Sequence, residues 1–219
     1  MERLVGHHVI AVNNSYIRAP FAEAMFFGDE RWLNIAPKTA DGTPGPTHRE
    51  LLRGFGGLKI TVREELFDEP GIHVVRRYTS QHGISQDQGT LVWNRNSGGC
   101  AINLAFHLGA RKIVLLGYDM RKVDGQHNYH TDHPKEDNPD PNYNVYEDQF
   151  IRPFESIMSD ARKFGLEIVN ATPGSALKWV PIVDPVDVMP ILPNDGSYVC
   201  GLGMFASSVI EAARNMETP

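Results

Sequence analysis

The chain has 219 residues, 41% of them hydrophobic and 22% charged, with 27 acids against 21 bases and a formal net charge of −6. Those values suit one folded domain over 1–219 and exclude a disordered chain. The negative balance argues against general affinity for nucleic acid or an anionic membrane, and no apolar run is long enough to span a bilayer or resembles an export signal.

The first apolar run, His8 to Val12, is short and β-branched and stops at Asn13-Asn14-Ser15, which predicts a buried strand feeding a polar loop. Ala24 to Gly28 predicts a second strand that ends at Asp29. Pro37 to Thr47, rich in proline and glycine, predicts a loop. Leu58 to Val62 and Ile72 to Val75 predict two further strands, shorter and nearer a sheet edge. Ser97 opens a predicted helix whose Ala101, Leu104, Ala105 and Leu108 follow i, i+3, i+4, i+7 spacing. Cys100, Ile102 and Phe106 fill its other faces, and Gly109 ends it. Ile113 to Gly117 is a continuous apolar strand of the parallel-sheet kind, terminated by Tyr118-Asp119.

A long polar loop rich in His, Asp, Asn and Pro is predicted over 121–144, a length that usually marks function. A helix opening at Pro153 follows, with Phe154, Ile157, Met158, Ala161 and Phe164 on its apolar face and Gly165 as its stop. Leu166 to Asn170 supplies the next strand, completing a parallel crossover. An extended proline-rich tail over 181–205 and a last helix near Ser208 to Arg214 complete the expectation. The fold class is therefore α/β: a mostly parallel sheet with helices on both faces. Two cysteines, Cys100 and Cys200, cannot make a disulfide framework, and a reducing cytoplasm is the expected location.

Ligands of open parallel sheets bind beyond the carboxyl ends of the strands. The polar groups expected there are Asn13, Asn14, Asp29, Asp119 and the segment Asn170 to Ser175. Asn96-Ser97-Gly98-Gly99 at a helix start offers backbone N–H groups and a hydroxyl to a phosphate or carboxylate, or else is a capped, close-packed helix start. Asn13 and Asn14 could donate amide hydrogen bonds to a nucleotide or could stabilise their own turn. Asp29 and Asp119 suit a divalent cation or a sugar hydroxyl, and equally a helix cap. In the long loop, His127, His130 and His133 stand at three-residue spacing beside Asp124 and Asp132, a pattern for a general base or a metal site. Without nearby thiols a structural zinc site is not expected. Trp32, Trp93 and Trp179 read as core or groove walls, His107 as a satisfied core histidine, and Arg76-Arg77 as a solvated pair.

The run from Asn96 to Asp119-Met120, together with Val9 to Tyr16, Asp29 to Trp32, His127 to Pro134 and Val169 to Leu177, resembles the MptE-like family, in particular a phage-encoded branch of it. That family includes 6-hydroxymethylpterin pyrophosphokinases and motility-associated-factor flagellin glycosyltransferases, and is similar at a distance to bacterial sialyltransferases. The resemblance implies a Rossmann-like fold with a nucleotide-activated donor held by Asn13, Asn14 and the Ser97-Gly98 turn, with Asn170 and Ser175 on the same rim. It implies that His130, or failing that His133, takes a proton from an acceptor hydroxyl. Along the pyrophosphokinase branch, Asp29 and Asp119 would instead hold Mg²⁺ bridging ATP phosphates. A non-catalytic protein that binds a nucleotide or a partner is the third reading. Family members open with a Gly-x-Gly-Pro-Ser-Leu turn that does not occur here, so the expectation is either that the start lies further upstream or that the first βα unit is missing. In the second case the sheet edge thereby exposed would favour a homodimer.

Overall fold

In the computed structural model, the described residues are Leu4 and residues 7–39, 41–122 and 144–188. The run His8 to Val12 forms strand β1 (Ile10–Val12), and β2 (Ala24–Phe27) follows as its parallel neighbour. Every residue of β2 is buried, as a strand covered on both faces requires. Strand β3 (Leu58–Thr61) pairs with the other side of β2, and β4 (His73–Val74) pairs with β3, all in parallel. The chain then runs on through Val75, whose N–H still reaches the Thr61 carbonyl at 2.8 Å, into β5 (Arg76–Tyr78). That segment pairs in parallel with β6 (Thr90–Val92). Farther along, β7 (Lys112–Leu115) and β8 (Glu167–Asn170) make a separate parallel pair.

Alternation along these strands divides the core into two clusters on opposite faces. Ala24 and Phe26 belong to one and Met25 and Phe27 to the other; Ile113 and Leu115 are likewise separated from Val114. The first cluster is covered by α3 (Ser97–His107) and α4 (Pro153–Phe164), and the second by shorter pieces. Those pieces are α1 (Ser15–Arg18), a 3₁₀ turn over Glu30–Asn34, α2 (His48–Leu52) and α5 (Pro185–Val188). The result is a three-layer, Rossmann-like α/β fold. No helix among the described residues is long and apolar enough to cross a membrane.

Local chemistry explains the helix ends. The Asn96 side chain accepts from Gly99 N–H at 2.6 Å and caps α3, while Pro153 starts α4 and Gly165 (φ 66°) closes it. Thr47 and Glu50 form a reciprocal capping box on α2.

Several expectations change. β3 lies inside the four-stranded sheet, not at its edge, and is as long as β2. The start of the proline-rich tail is not wholly extended: Ile182 bridges to Asn170, and α5 follows. Trp179 is 47% exposed instead of walling the core, whereas Trp32 is 2% exposed. His107 is only half satisfied: Nε2 lies 2.7 Å from the Ser85 carbonyl, while Nδ1 is buried with no partner. The predicted helix near 208–214, Cys200 and the histidines His127, His130 and His133 lie outside the described residues.

Candidate functional site

The carboxyl ends of the strands are held together by contacts that only small residues permit. Gly28, directly after β2, faces the Trp93 indole and the Ser97 hydroxyl; a Cβ there would run into the ring. Gly98, in the first turn of α3, lies under Tyr118, and an added Cβ would sit 2.7 Å from that ring. The end of β2, the start of α3 and the end of β7 therefore meet along one edge.

Tyr118 joins this edge to β8. Its hydroxyl donates to the Gly98 carbonyl at 3.2 Å, and its N–H donates to Thr172 Oγ1 at 3.0 Å. Its carbonyl accepts from Ser175 Oγ at 2.5 Å and from Asn170 Nδ2 at 3.3 Å. Burial pushes the phenol well above its ordinary pKa, so the hydroxyl stays protonated and can donate. Arg121 adds a bond from Nε to the Gly174 carbonyl at 2.7 Å. Asn170 and Ser175 thus lie beside Tyr118, with their polar groups spent on it. The exception is Asn170 Oδ1, which is buried without a partner.

Backbone strain concentrates on the same edge. Among the described residues, the non-glycine positions with positive φ are Asn13 (49°), Asn94 (51°), Arg95 (57°) and Met120 (50°). All four follow carboxyl ends, of β1, β6 and β7. Such conformations cost of order 1 kcal/mol or more and persist where surrounding contacts enforce them. Asn94 shows how: its side chain accepts from Gly83 N–H at 2.8 Å and donates to the carbonyls of Gly83, Val92 and Gly99.

The expected donor-binding residues fall into two groups. At α3, Gly99 N–H is taken by Asn96 and Cys100 N–H by the Asn96 carbonyl. The N–H groups of Ser97 and Gly98 and the Ser97 hydroxyl have no acceptor among the described residues. This is a helix start with donors to spare and a positive dipole end. After β1, Asn13 N–H donates to the Phe26 carbonyl at 2.9 Å, and Asn14 accepts the Trp32 indole N–H at 2.6 Å.

The two carboxylates differ. Asp29 caps the 3₁₀ turn, and the Arg31 guanidinium grips both of its oxygens at 2.7–3.1 Å. Burial opposes its ionisation, but the Arg31 bonds and charge, aided by Arg63, outweigh that and hold its carboxyl below the usual range. Asp119 is half-buried, its carbonyl accepts from Ala176 N–H at 2.8 Å, and its carboxylate meets no donor among the described residues. No group of three His, Cys, Asp or Glu side chains among the described residues could hold a metal ion.

Sequence reasoning missed Tyr118 as the connector and Trp32 as the partner of Asn14. The available signal for the first was a tyrosine placed directly after a buried strand, opposite a helix that begins with two glycines. Arg76 is exposed and Arg77 half-exposed, in keeping with a solvated pair. Cys100 is fully buried and burial pushes its thiol up, which leaves it inert as a nucleophile. No protein-family model, curated protein or solved structure matches the chain.

Proposed function

We propose that the chain is a transferase that binds a nucleotide-activated donor, a nucleotide sugar in the first instance, along the carboxyl edge of its sheet. The observation that carries this reading is the start of α3. There Ser97 and Gly98 offer two backbone N–H groups and a hydroxyl that nothing among the described residues uses, beside Gly28 and Tyr118. Donors of that kind at a positive helix end match the oxygens of a phosphate. The clustering of strained residues on the same edge supports the reading independently. The resemblance to MptE-like and sialyltransferase sequences supplies the reaction: His130, with His133 or His127 as alternates, removes a proton from an acceptor hydroxyl as it attacks the donor carbon, whose bond to the nucleotide's phosphate oxygen breaks so that the nucleotide leaves with the electron pair.

The Mg²⁺-dependent pyrophosphokinase reading is weaker for a stated reason. It needs Asp29 and Asp119 as ligands, and Asp29 is already neutralised by a two-pronged Arg31 contact. Titrating CMP, UDP and ATP with and without Mg²⁺ while following thermal unfolding separates the cases, because a ligand at 100 times its Kd adds about 2.7 kcal/mol. Metal-independent stabilisation by CMP or UDP is the expected result. Stabilisation by ATP that requires Mg²⁺ would favour pyrophosphoryl transfer, and no shift with any nucleotide would leave a partner-binding role. Under the transferase reading, His130→Ala lowers turnover far more than donor affinity.

A further inference from the structure

Behind the turn that follows β1 lies a buried block of aromatic and polar side chains. Trp32 is 2% exposed, with His48 stacked on its ring at 4.0 Å and 15° and Phe27 stacked at 5.2 Å and 30°. Tyr16 meets Trp32 edge-on at 5.9 Å, and its hydroxyl pairs with His48 Nδ1 at 2.9 Å. His48 is itself pinned by its own N–H, which donates to the Ile35 carbonyl at 3.0 Å. The indole can therefore neither tilt nor slide without breaking several contacts at once.

Its N–H is aimed at Asn14, 2.6 Å from the side-chain oxygen. An indole nitrogen can only donate, so the atom facing it must be the carboxamide oxygen; the reversed amide would set two donors against each other. Asn14 is 4% exposed, yet its Nδ2 has no acceptor among the described residues and is not one of the polar atoms sealed from water. The side chain is thus held with its oxygen inward and an unused NH₂ left over, at the carboxyl end of β1. Asn13, left-handed at φ 49°, sets the turn that places it there.

We propose that Trp32 is a positioning residue that fixes the Asn14 carboxamide as a hydrogen-bond donor, so that the ligand group seated at this end of the edge must be an acceptor. Carbonyl oxygens, phosphate oxygens and ring-nitrogen lone pairs qualify; an amine does not. This rests on the nucleotide-donor reading for the identity of the ligand, but the lock itself does not.

Two arms test it separately. In a proton–nitrogen correlation spectrum of the ligand-free chain, the Trp32 indole N–H exchanges slowly, and Asn14→Leu, which keeps the shape and removes the oxygen, speeds that exchange at least about tenfold. Unchanged exchange would overturn the lock whatever the ligand is. For the ligand, CMP and UDP affinities are measured by calorimetry. Asn14→Asp keeps an acceptor for the indole but removes the donor, and Trp32→Phe keeps the amide but releases it. Each weakens binding about tenfold, the equivalent of one hydrogen bond. If Trp32→Phe lowers the unfolding temperature but leaves affinity unchanged, its role is structural and the proposal fails. Should Trp32→Phe not fold, wild-type affinity in Asn14→Asp is sufficient to overturn it. If the wild-type chain binds neither nucleotide, the functional reading falls with the ligand half of this inference, and the indole exchange still decides the lock.

Discussion

The two ends of α3 are built from similar polar material and use it differently. At the carboxyl end, Asn103 is fully buried and its oxygen accepts from Ser85 N–H at 3.1 Å and Val92 N–H at 3.0 Å. Its Nδ2 returns a bond to the Ser85 carbonyl, which also receives His107 Nε2 at 2.7 Å. Gly109 (φ 93°) turns the chain so that its N–H and that of Ala110 close on Phe106 and Ala105, and Arg111 covers the carbonyls of Gly109 and Ala110. A hollow of about 230 Å³ does lie there, between Gln86, Phe106, His107 and Arg111. His107 Nε2 and the Arg111 guanidinium there already serve the fold, while His107 Nδ1 is buried without a partner and the Gln86 and Gln88 side chains on the rim are exposed. At the amino end, Asn96 consumes two donors and stops, and the rest stay open at a strained, glycine-lined edge. Hydrogen bonds that point inward, as around Asn103, stabilise the fold, whereas leftover donors at a half-exposed helix start are open to water or to a ligand.

Breaking the closed end should have the largest effect. Asn103→Leu preserves volume but strips the buried Val92 N–H and the partly buried Ser85 N–H of their acceptor, at about 1–3 kcal/mol for a buried group. Urea unfolding should show a loss of several kcal/mol with nucleotide affinity little changed among the molecules that remain folded. A loss below about 1 kcal/mol would mean the network is not what holds that end. Gly98→Ala comes next. In an ordinary helix this change is favourable by roughly 0.5–1 kcal/mol, but here the new methyl meets the Tyr118 ring. Overpacking of that kind costs about 1–3 kcal/mol, so a net destabilisation is expected. Adding Tyr118→Ala should reverse its sign, and an unreversed sign would show that the two residues do not touch.

The legibility of these regions in the sequence follows from the range of the interactions. β2 and the Ile113 to Leu115 part of β7 were readable because a strand buried on both faces must be apolar and must stop at polar or glycine residues, while β8 was readable from its Ile168-Val169 centre between Gly165 and Asn170. α3 and α4 carried helical spacing, a cap or initial proline, and a terminal glycine. β5 was not readable: Arg76-Arg77-Tyr78 has charged, outward side chains, and its strand character comes from pairing with Thr90 to Val92. α1 and α2 span only 4 and 5 residues, too few for a periodic signal, although Thr47-x-x-Glu50 was a usable cap. At the edge, single residues such as Asn14, Ser97 and Asn170 were legible from their positions after strands or before a helix. The pairs that fix them were not, because Trp32 lies 18 residues from Asn14, and Tyr118 lies 57 from Ser175. No local rule selects among the many side chains that could close such loops.

The closed end also carries a pH signature. Burial lowers the His107 pKa from its ordinary 6.5, against the opposing pull of the Ser85 carbonyl and Asp87. With the folded value below the unfolded one, the unfolded chain binds the extra proton. Stability is therefore full above about pH 6.5 and declines as pH falls toward the folded value. His82 is lowered too, by burial and then by Arg95, and contributes in the same direction. His107→Gln, which can still donate to Ser85, should flatten part of the decline measured by unfolding between pH 7.5 and 5.5, leaving the share due to His82. An unaltered slope would show that His107 is not held neutral by its surroundings.

The smallest expected stability change is also the sharpest probe of the difference between the two ends. The Ser97 hydroxyl has no partner among the described residues, and Asn96 already provides the cap. Ser97→Ala should therefore shift the unfolding free energy by no more than about 0.5 kcal/mol, in contrast to Asn103→Leu. If a phosphate oxygen takes that hydroxyl, the same variant should weaken CMP or UDP binding about ten- to a hundredfold, the value of one hydrogen bond to a charged acceptor. A loss of stability above about 1 kcal/mol with unchanged affinity would mean that Ser97, like Asn103, serves the fold. The two ends of α3 would then be alike, and the donors at its start would no longer call for a ligand.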